Sequence, residues 1–393
     1  MKMGNYVIQF RNTQSSVLFC IMVDTKEGEK VKLIHCADVH LHSRLNTHLS
    51  VQQSKERNGE LVSSFVNMVE YGHRHGVSAV LIAGDLFDGA SVPQSLQNTL
   101  IHIMKEYSEM MFFYLRGNHD ENSVLAGTWE EAGNLYCFQP DTWTSFSIPL
   151  SNGNLTITGM ELTQHSSLNG LQLSSDDINI VMLHGQIRNY GKPDGMNIPL
   201  KQLEDHNIDY LALGHIHSYE QGVLRPDGTW CYAGSMEGRG FDEPGEHGFV
   251  MLEVDEENRT VHSSFIPFAT RTVHVIDVDV SDCCTSVQMM QKAKMMITGD
   301  MQNDMVRIRL CGDLDVSVEK DLTTIEKMLE NTCWYLEVKD ETRLFVDYEQ
   351  YAKDASLKGE FVRLVYGNDA YTSVEKAEII QCGIAALNGE EQV

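Results

Sequence analysis

Five short apolar runs, spread over the first part of the chain, each end directly in a residue type that binds metal ions. The runs are Lys32–Ala37, Ala79–Ala83, Met111–Leu115, Ile178–Leu183 and Tyr210–Leu213. They lead into Asp38-Val39-His40, Gly84-Asp85, Gly117-Asn118-His119-Asp120, His184-Gly185 and Gly214-His215-Ile216-His217. Runs this short, bounded by turn residues, read as buried strands. Between the first two, Leu61, Phe65, Met68, Val69 and Gly72 fall at helical spacing, as do Leu96, Leu100, Ile103 and Met104 after Pro93. Strands alternating with helices predict a layered α/β domain. In open α/β sheets, sites form beyond the carboxyl ends of the strands, so five ligand-bearing ends along one edge converge on a single cleft.

The donor types narrow the chemistry. Asp, Asn and neutral His together suit Mn²⁺, Fe²⁺ or Zn²⁺ better than the all-oxygen shells of Ca²⁺ or Mg²⁺. Asp85, at the centre of the set, is the natural carboxylate to bridge two cations. Gly84, Gly117, Gly185 and Gly214 beside the ligands let the backbone turn sharply. Any one of these His or Asp residues alone would more often be a capped turn or a satisfied core group; the set of Asp38, His40, Asp85, Asn118, His184, His215 and His217 at strand ends reverses that reading. His35, inside a strand, reads as packed core, and His73, His75 and His102, in helical stretches, read as surface or structural groups.

The rest of the chain sets the organisation. Residues 1–30 form an N-terminal extension without periodicity, open to reading as an added strand, a loose arm or an upstream start. After Gly214 the pattern turns to hairpins, Gly222–Leu224 with Trp230–Tyr232 and Gly248–Val254 with Thr260–Phe265. A catalytic domain over 31–270 is then followed by a second unit over 271–393. Its expected order is the strand Val273–Val280, a helix over 286–297, the strand Val306–Cys311, a helix over 319–331, the strand Trp334–Val338, and helices near 347–365 and 372–387. Met289, Met290, Met295 and Met296 at helical spacing read as core packing ahead of a partner-binding stripe.

Composition excludes some classes. With 393 residues and 42% apolar content, the chain can bury two cores and is not disordered. Lys and Arg number 30 against 56 Asp and Glu, a net charge of −26, which argues against an autonomous duplex-DNA binder. Bound divalent ions or a partner would supply the missing positive field. Nine cysteines without a Cys-x-x-Cys pair fit a reducing cytoplasm. The apolar stretch Val17 to Val23 is too short to span a bilayer, so a soluble protein with no membrane association is expected.

The five blocks resemble the calcineurin-like metallophosphoesterase superfamily, whose pattern is Asp-x-His, Gly-Asp-x-x-Asp, Gly-Asn-His-Asp/Glu, a lone His and Gly-His-x-His. The second block stands as Gly84-Asp85-Leu86-Phe87-Asp88. The resemblance covers residues 32–270. Ala37 to Leu41, Gly84 to Asp88 and the late Gly234-Ser235-Met236-Glu237-Gly238-Arg239-Gly240-Phe241 are similar to the DNA-repair exonuclease branch, with its SbcD/Mre11-like nuclease subunits. That resemblance implies a four-layer αββα sandwich with a small C-terminal α/β capping domain. It also implies two divalent transition-metal ions, Mn²⁺ first, with Fe²⁺ or Zn²⁺ as alternatives. One would take Asp38, His40, Asp85 and His217, the other Asp85, Asn118, His184 and His215. His119 would stand at the leaving group as proton donor, with Asp120 orienting it.

The activity so implied is a Mn²⁺-dependent DNA exo- or endonuclease working with a coiled-coil ATPase of the SbcC/Rad50 type, as monomer or homodimer. A small-molecule phosphodiesterase or phosphatase on the same site is the alternative; a non-catalytic scaffold is disfavoured because no ligand is missing. His42, where close relatives commonly carry Asp, and the acidity both bear on substrate. Arg57 and Glu60 match a pair in the related nucleases, yet read as a solvated helix face with some dipole complementarity. Arg239, between glycines, either holds a phosphate or pairs with Glu243 or Glu246.

Overall fold

In the computed structural model, residues 9–13, 16–21, 30–45, 49–89, 92–120, 132–188, 196–316 and 318–388 are described. The chain divides into two units, Met1–Thr270 and Arg271–Val393. The first unit runs β1 (Gln9–Thr13), β2 (Ser16–Cys20), β3 (Val31–Cys36), α1 (Val51–Arg74), β4 (Val77–Ala83), α2 (Gln94–Glu106), β5 (Met111–Leu115), β6 (Leu135–Cys137), β7 (Trp143–Pro149) and β8 (Asn154–Gly159). It continues with β9 (Ile178–His184), β10 (Gln186–Arg188), β11 (Asn197–Pro199), β12 (Tyr210–Gly214), β13 (Glu220–Leu224), β14 (Gly228–Tyr232), β15 (Gly248–Asp255) and β16 (Thr260–Pro267).

Two sheets carry the site, a six-stranded one in the order β16-β15-β3-β4-β5-β6 and an eight-stranded one in the order β1-β2-β7-β8-β9-β12-β14-β13. The strands β3 to β6 are parallel, and so are β8, β9, β12 and β14. Each central strand is apolar on both faces because both faces are covered. In β4, Ala79, Leu81 and Ala83 point between the sheets toward Phe113, Ile180, Met182 and Ala212. Val80 and Ile82 point the other way, onto Phe65 and Met68 of α1 and Leu100 and Met104 of α2.

The chain is thus a mixed α/β sandwich, with a particular fourth layer. Val181, Leu183, Leu211 and Leu213 on the outer face of the eight-stranded sheet pack beneath Leu168, Leu171, Ile198 and Leu203. Among the described residues, loop segments and the short 3₁₀ turn Leu200–Gln202 make this cover in place of long helices. The stretch Thr163 to Gly170 is rich in Ser, Asn and Gly, which favour turns over helix, while its Leu168 and the following Leu171 still seal the sheet.

Of the three readings of residues 1–30, the added-strand one is formed: β1 pairs with β2, and β2 with β7. The strands β7 and β8 left little trace in the apolar pattern because one shared face is hydroxylic. Ser145 bonds Thr158 (2.8 Å) and Ser147 bonds Thr156 (3.0 Å), all four buried.

The long helix α1 opens on a capping box between Ser50 and Gln53. Its buried stripe holds Arg57, only 1% exposed, which corrects the solvated-face reading. Arg57 ion-pairs with Glu60 and with Glu237 (3.1 Å), and its Nη2 donates to the Gly238 carbonyl (2.7 Å). The other oxygen of Glu237 accepts from Ser64 Oγ and from the Thr270 amide, each at 2.6 Å. The helix is covered at this point by the loop Gly234 to Phe241, so the charges are paired in the interior instead of solvated.

The second unit contains β17 (Val273–Asp279), α3 (Ser286–Met296), β18 (Met305–Cys311), β19 (Asp313–Asp315), α4 (Leu322–Leu329), β20 (Tyr335–Asp340), β21 (Arg343–Phe345), α5 (Tyr348–Lys353), α6 (Leu357–Tyr366) and α7 (Ser373–Asn388). The parallel sheet β17-β18-β20 and the helices α3 and α4 share a core of Val278, Met289, Ile308, Ile325 and Leu329. The methionine stripe splits: Met289 is core, whereas Met295 is 74% exposed. The helix expected over 347–365 is two helices, because Ser356 caps a new start by accepting from the Gly359 amide. Among the described residues no helix is long and apolar enough to cross a membrane.

Removing one member of a buried ion pair strands the other. Arg57→Met is therefore expected to lower the unfolding free energy by about 3–5 kcal/mol in urea titrations. Val51→Ala, at a position 75% exposed, should shift it by less than about 0.5 kcal/mol. Equal effects would show that the network is not buried in solution.

Candidate metal centre

The loops after β3, β4 and β12 hold unusual backbone. Asp38, His40, Asp85 and His215 have φ of 49°, 48°, 50° and 99°, a left-handed region that L-residues seldom adopt. Such conformations persist where surrounding bonds over-determine them. Here the Asp38 amide donates to the Gly84 carbonyl (3.1 Å) and the His40 amide to the Asp85 carbonyl (3.0 Å), which laces the first two loops together. Side-chain crowding sets the glycines: a Cβ on Gly84 would run into the His184 ring, and one on Gly117 into the Asp85 carboxylate.

Two groups of acceptor atoms form within this frame. His184 Nδ1 donates to the Ala83 carbonyl (2.9 Å), leaving a lone pair on Nε2. That Nε2 faces Asn118 Oδ1 at 3.1 Å and Asp85 Oδ2 at 3.4 Å. Three acceptors in contact require a shared positive charge. Burial opposes charge on His184, but its bond to Asp85 and the nearby carboxylates push its pKa up to about 9. In the second group, His217 Nδ1 donates to Glu243 Oε1 (2.6 Å), so its Nε2 meets His40 Nε2 at 3.3 Å. His40 Nε2 also lies 3.8 Å from Asp85 Oδ2 and 4.0 Å from Asp38 Oδ1, while its Nδ1 is buried without a hydrogen-bond partner. Burial lowers the His40 pKa to about 3 and raises that of Asp38 to about 6. Ligand-type atoms this crowded fit cations, and Asp38, His40 and His217, like Asp38, Asp85 and His184, offer ligand atoms within 4.8 Å of one another.

His215 is placed differently. Its amide donates to both Asp38 oxygens (3.1 and 2.9 Å), and its ring stands edge-on to His184 with centroids 5.4 Å apart. Its ring borders the first group, around His184, and joins none of the close clusters found among the described residues.

The expected His119–Asp120 pairing is corrected. Asp120 is buried and accepts from the amides of Leu86 (3.1 Å), Phe87 (2.9 Å) and Gly117 (3.1 Å), so it ties the two loops together. His119 instead bonds Asp88 through Nδ1 (2.9 Å), and Asp88 accepts from Ser43 Oγ (2.6 Å). Asp88 had been visible as the second Asp of Gly84-Asp85-Leu86-Phe87-Asp88, but its reach to His119 depends on the meeting of two loops. Of the two readings of Arg239, the pairing with Glu243 is formed: amide to Oε2 and Nη2 to Oε1, each 3.0 Å. Its Nη1 also lies 3.9 Å from Asp88, so the guanidinium borders the centre. Glu243 as a support of His217 was missed, since nothing in its sequence surroundings marks it. His35 bonds the Tyr210 hydroxyl (3.0 Å) between the sheets, away from this chemistry.

An α/β sandwich that gathers His and Asp clusters beyond its parallel strand ends is the architecture of a metal-dependent phosphoester hydrolase. Residues 31–219 match the family model for calcineurin-like phosphoesterases, a family that uses divalent metal ions. It is 26% identical over 238 residues, 56% of its length, to the uncharacterized metallophosphoesterase YhaO of Bacillus subtilis (strain 168), and spans 57% of that protein. It is 22% identical over 321 residues to the DNA double-strand break repair protein Mre11 of Sulfolobus acidocaldarius, covering 76% of this chain and 79% of the relative. Among solved structures it is similar to a dimetal phosphatase from Danio rerio, with a TM-score of 0.39, 13% identity, and coverage of 57% of this chain and 93% of that one.

Outer partners of a ligating His fix its orientation and basicity. Glu243→Gln is expected to weaken Mn²⁺ binding by about 10- to 100-fold in calorimetric titration, with an unchanged circular dichroism spectrum. An unaltered affinity would remove His217 from the ligand set.

Proposed function

We propose that this protein is a two-metal DNA exo- or endonuclease that works with Mn²⁺. The observation that carries the reading is the position of Asp85, whose Oδ2 lies 3.4 Å from His184 Nε2 and 3.8 Å from His40 Nε2, between the two groups of donors. Asp38, His40, Asp85 and His217 would hold one ion, and Asp85, Asn118, His184 and His215 the other. Ions so held supply charge neutralisation at the phosphate and a water activated for attack. The chain's own part is proton transfer and placement. His119, held through Nδ1 by Asp88, presents Nε2 to the leaving oxygen and gives it a proton. Ser43 donates to Asp88 and Arg239 lies 3.9 Å from it, which holds the carboxylate in place for that task.

The nucleic-acid substrate is supported by the similarity to Mre11, which at 321 residues is longer than the first unit and so reaches into the second. On this reading, a coiled-coil ATPase supplies the positive surface that a net charge of −26 lacks, and the nine free cysteines suit a cytoplasmic setting. A small phosphodiester is the second reading, favoured by a bounded cavity of about 490 Å³ beside Asn118 and His184.

Elemental analysis after Mn²⁺ reconstitution is expected to find two ions per chain. His119→Gln should lower turnover by roughly 10²- to 10⁴-fold with both ions retained; loss of metal with activity would make His119 a ligand. For the substrate, Mn²⁺-dependent cleavage of a labelled single strand, a blunt duplex and a closed circle would be compared with and without the ATPase. Ends should be cut and circles spared, with a gain on adding the partner. Rapid hydrolysis of a small phosphodiester with no nucleic acid cut under any condition leaves the second reading in place of the first.

A further inference from the structure

His40 is fully buried, and its Nδ1 has no hydrogen-bond partner among the described residues. With an ion on Nε2, as the two-metal reading requires, the ring's proton sits on Nδ1. A buried N–H without an acceptor is unfavourable, so this end of the ring is left unfinished. It faces a third group of donors. Asp88 Oδ1 lies 3.9 Å from His40 Nδ1 and 2.9 Å from His119 Nδ1. The His40 and His119 rings stand edge-on with centroids 5.0 Å apart. His40, Asp88 and His119 offer ligand atoms that all fall within 4.8 Å of one another, as the two groups of the centre do. A tetrahedral shell at about 2.1 Å sets donors roughly 3.4 Å apart, so separations of 2.9 and 3.9 Å bracket what an ion needs.

The surroundings of this group allow an ion to enter. The His119 side chain is 45% exposed and that of Asp88 23%, so an ion reaches the group from solvent and keeps an open position for water. Arg239 stands at the other carboxylate oxygen, 3.9 Å from Oδ2, where its charge is shared with Glu243, and Oδ1 is left to the two imidazoles. Two imidazoles and one carboxylate suit Zn²⁺ better than Mn²⁺, which favours oxygen-rich shells.

We propose that His40, Asp88 and His119 form a third divalent-cation site, of the Zn²⁺ class, that takes His119 out of proton transfer when it fills. The inference rests on the two-metal reading and adds a regulatory ion to it. On binding, His40 gives its Nδ1 proton to solvent and joins the inner and outer ions as an imidazolate. The inner cation makes that loss easier, as it does for any group it holds. A neutral imidazole has one nitrogen lone pair, so His119 bound to the outer ion cannot take up the proton it would hand to the leaving group.

The test titrates the metal-free full chain with Zn²⁺ by calorimetry, in two buffers of different ionisation enthalpy. Two ions should bind tightly and a third more weakly, the third with release of one proton, whereas Mn²⁺ should fill only the inner two. Asp88→Asn and His119→Gln should each keep the inner two and lose the third. In the unaltered chain, diethyl pyrocarbonate followed by peptide mass mapping should modify His119 at two equivalents of Zn²⁺, and that reactivity should be lost at three. A chain that stops at two ions, a third ion retained in either variant or bound without proton release, or a His119 still reactive at three equivalents overturns the outer site while the two-metal reading stands. Loss of an inner ion from either variant merges the group with the centre and overturns the separate site as well. Fewer than two tight ions in the unaltered chain overturns both readings.

Discussion

The Asp85 carboxylate is the contact on which the first unit's architecture closes. One of its oxygens accepts from the His119 amide at 2.9 Å, and the other faces the rings of His184 and His40. Those groups come from the ends of β3, β4, β5 and β9, so a single buried charge sets the spacing of four loops in two sheets. Burial raises a carboxylate's pKa in general, but the His184 bond and the surrounding imidazoles hold that of Asp85 well below the usual range. The centre is consequently charged, buried and dependent on partners.

That arrangement explains the strained backbone and the supports around it. Left-handed φ at Asp38, His40, Asp85 and His215 is unfavourable in isolation, and amide bonds between the loops hold it in place. A second layer of charge lies behind the first: Glu243 on His217, Arg239 on Glu243, and Arg57 with Glu237 beneath the same loop. A glycine-rich segment is thereby fixed as firmly as a strand, which a metal ligand needs if its position is to be reproducible.

Much of the fold and most of the centre were legible from local pattern. Periodicity located β3, β4, β5, β9 and β12 within about two residues, since strands covered on both faces must be apolar along their whole length. It missed β7 and β8, where hydroxyl pairs stand inward, and read Arg57 as solvated, because an arginine on a helix gives no local sign of the loop that will cover it. The family resemblance implied that Asp120 orients His119, whereas a turn sends these adjacent side chains in different directions and brings Asp88 to the imidazole instead.

The division follows from range. Residue types at strand ends determined that an α/β sandwich would gather Asp38, His40, Asp85, Asn118, His184, His215 and His217 at one edge, because the side-chain period of a strand and the reach of a tight turn are local properties. Which imidazole nitrogen keeps a lone pair and which carboxylate supports which ring were decided only by the packing of distant segments. Hydrogen bonds act over about 3 Å, and the Ala83 and Glu243 groups that make these choices arrive from other loops only once the sheets have come together.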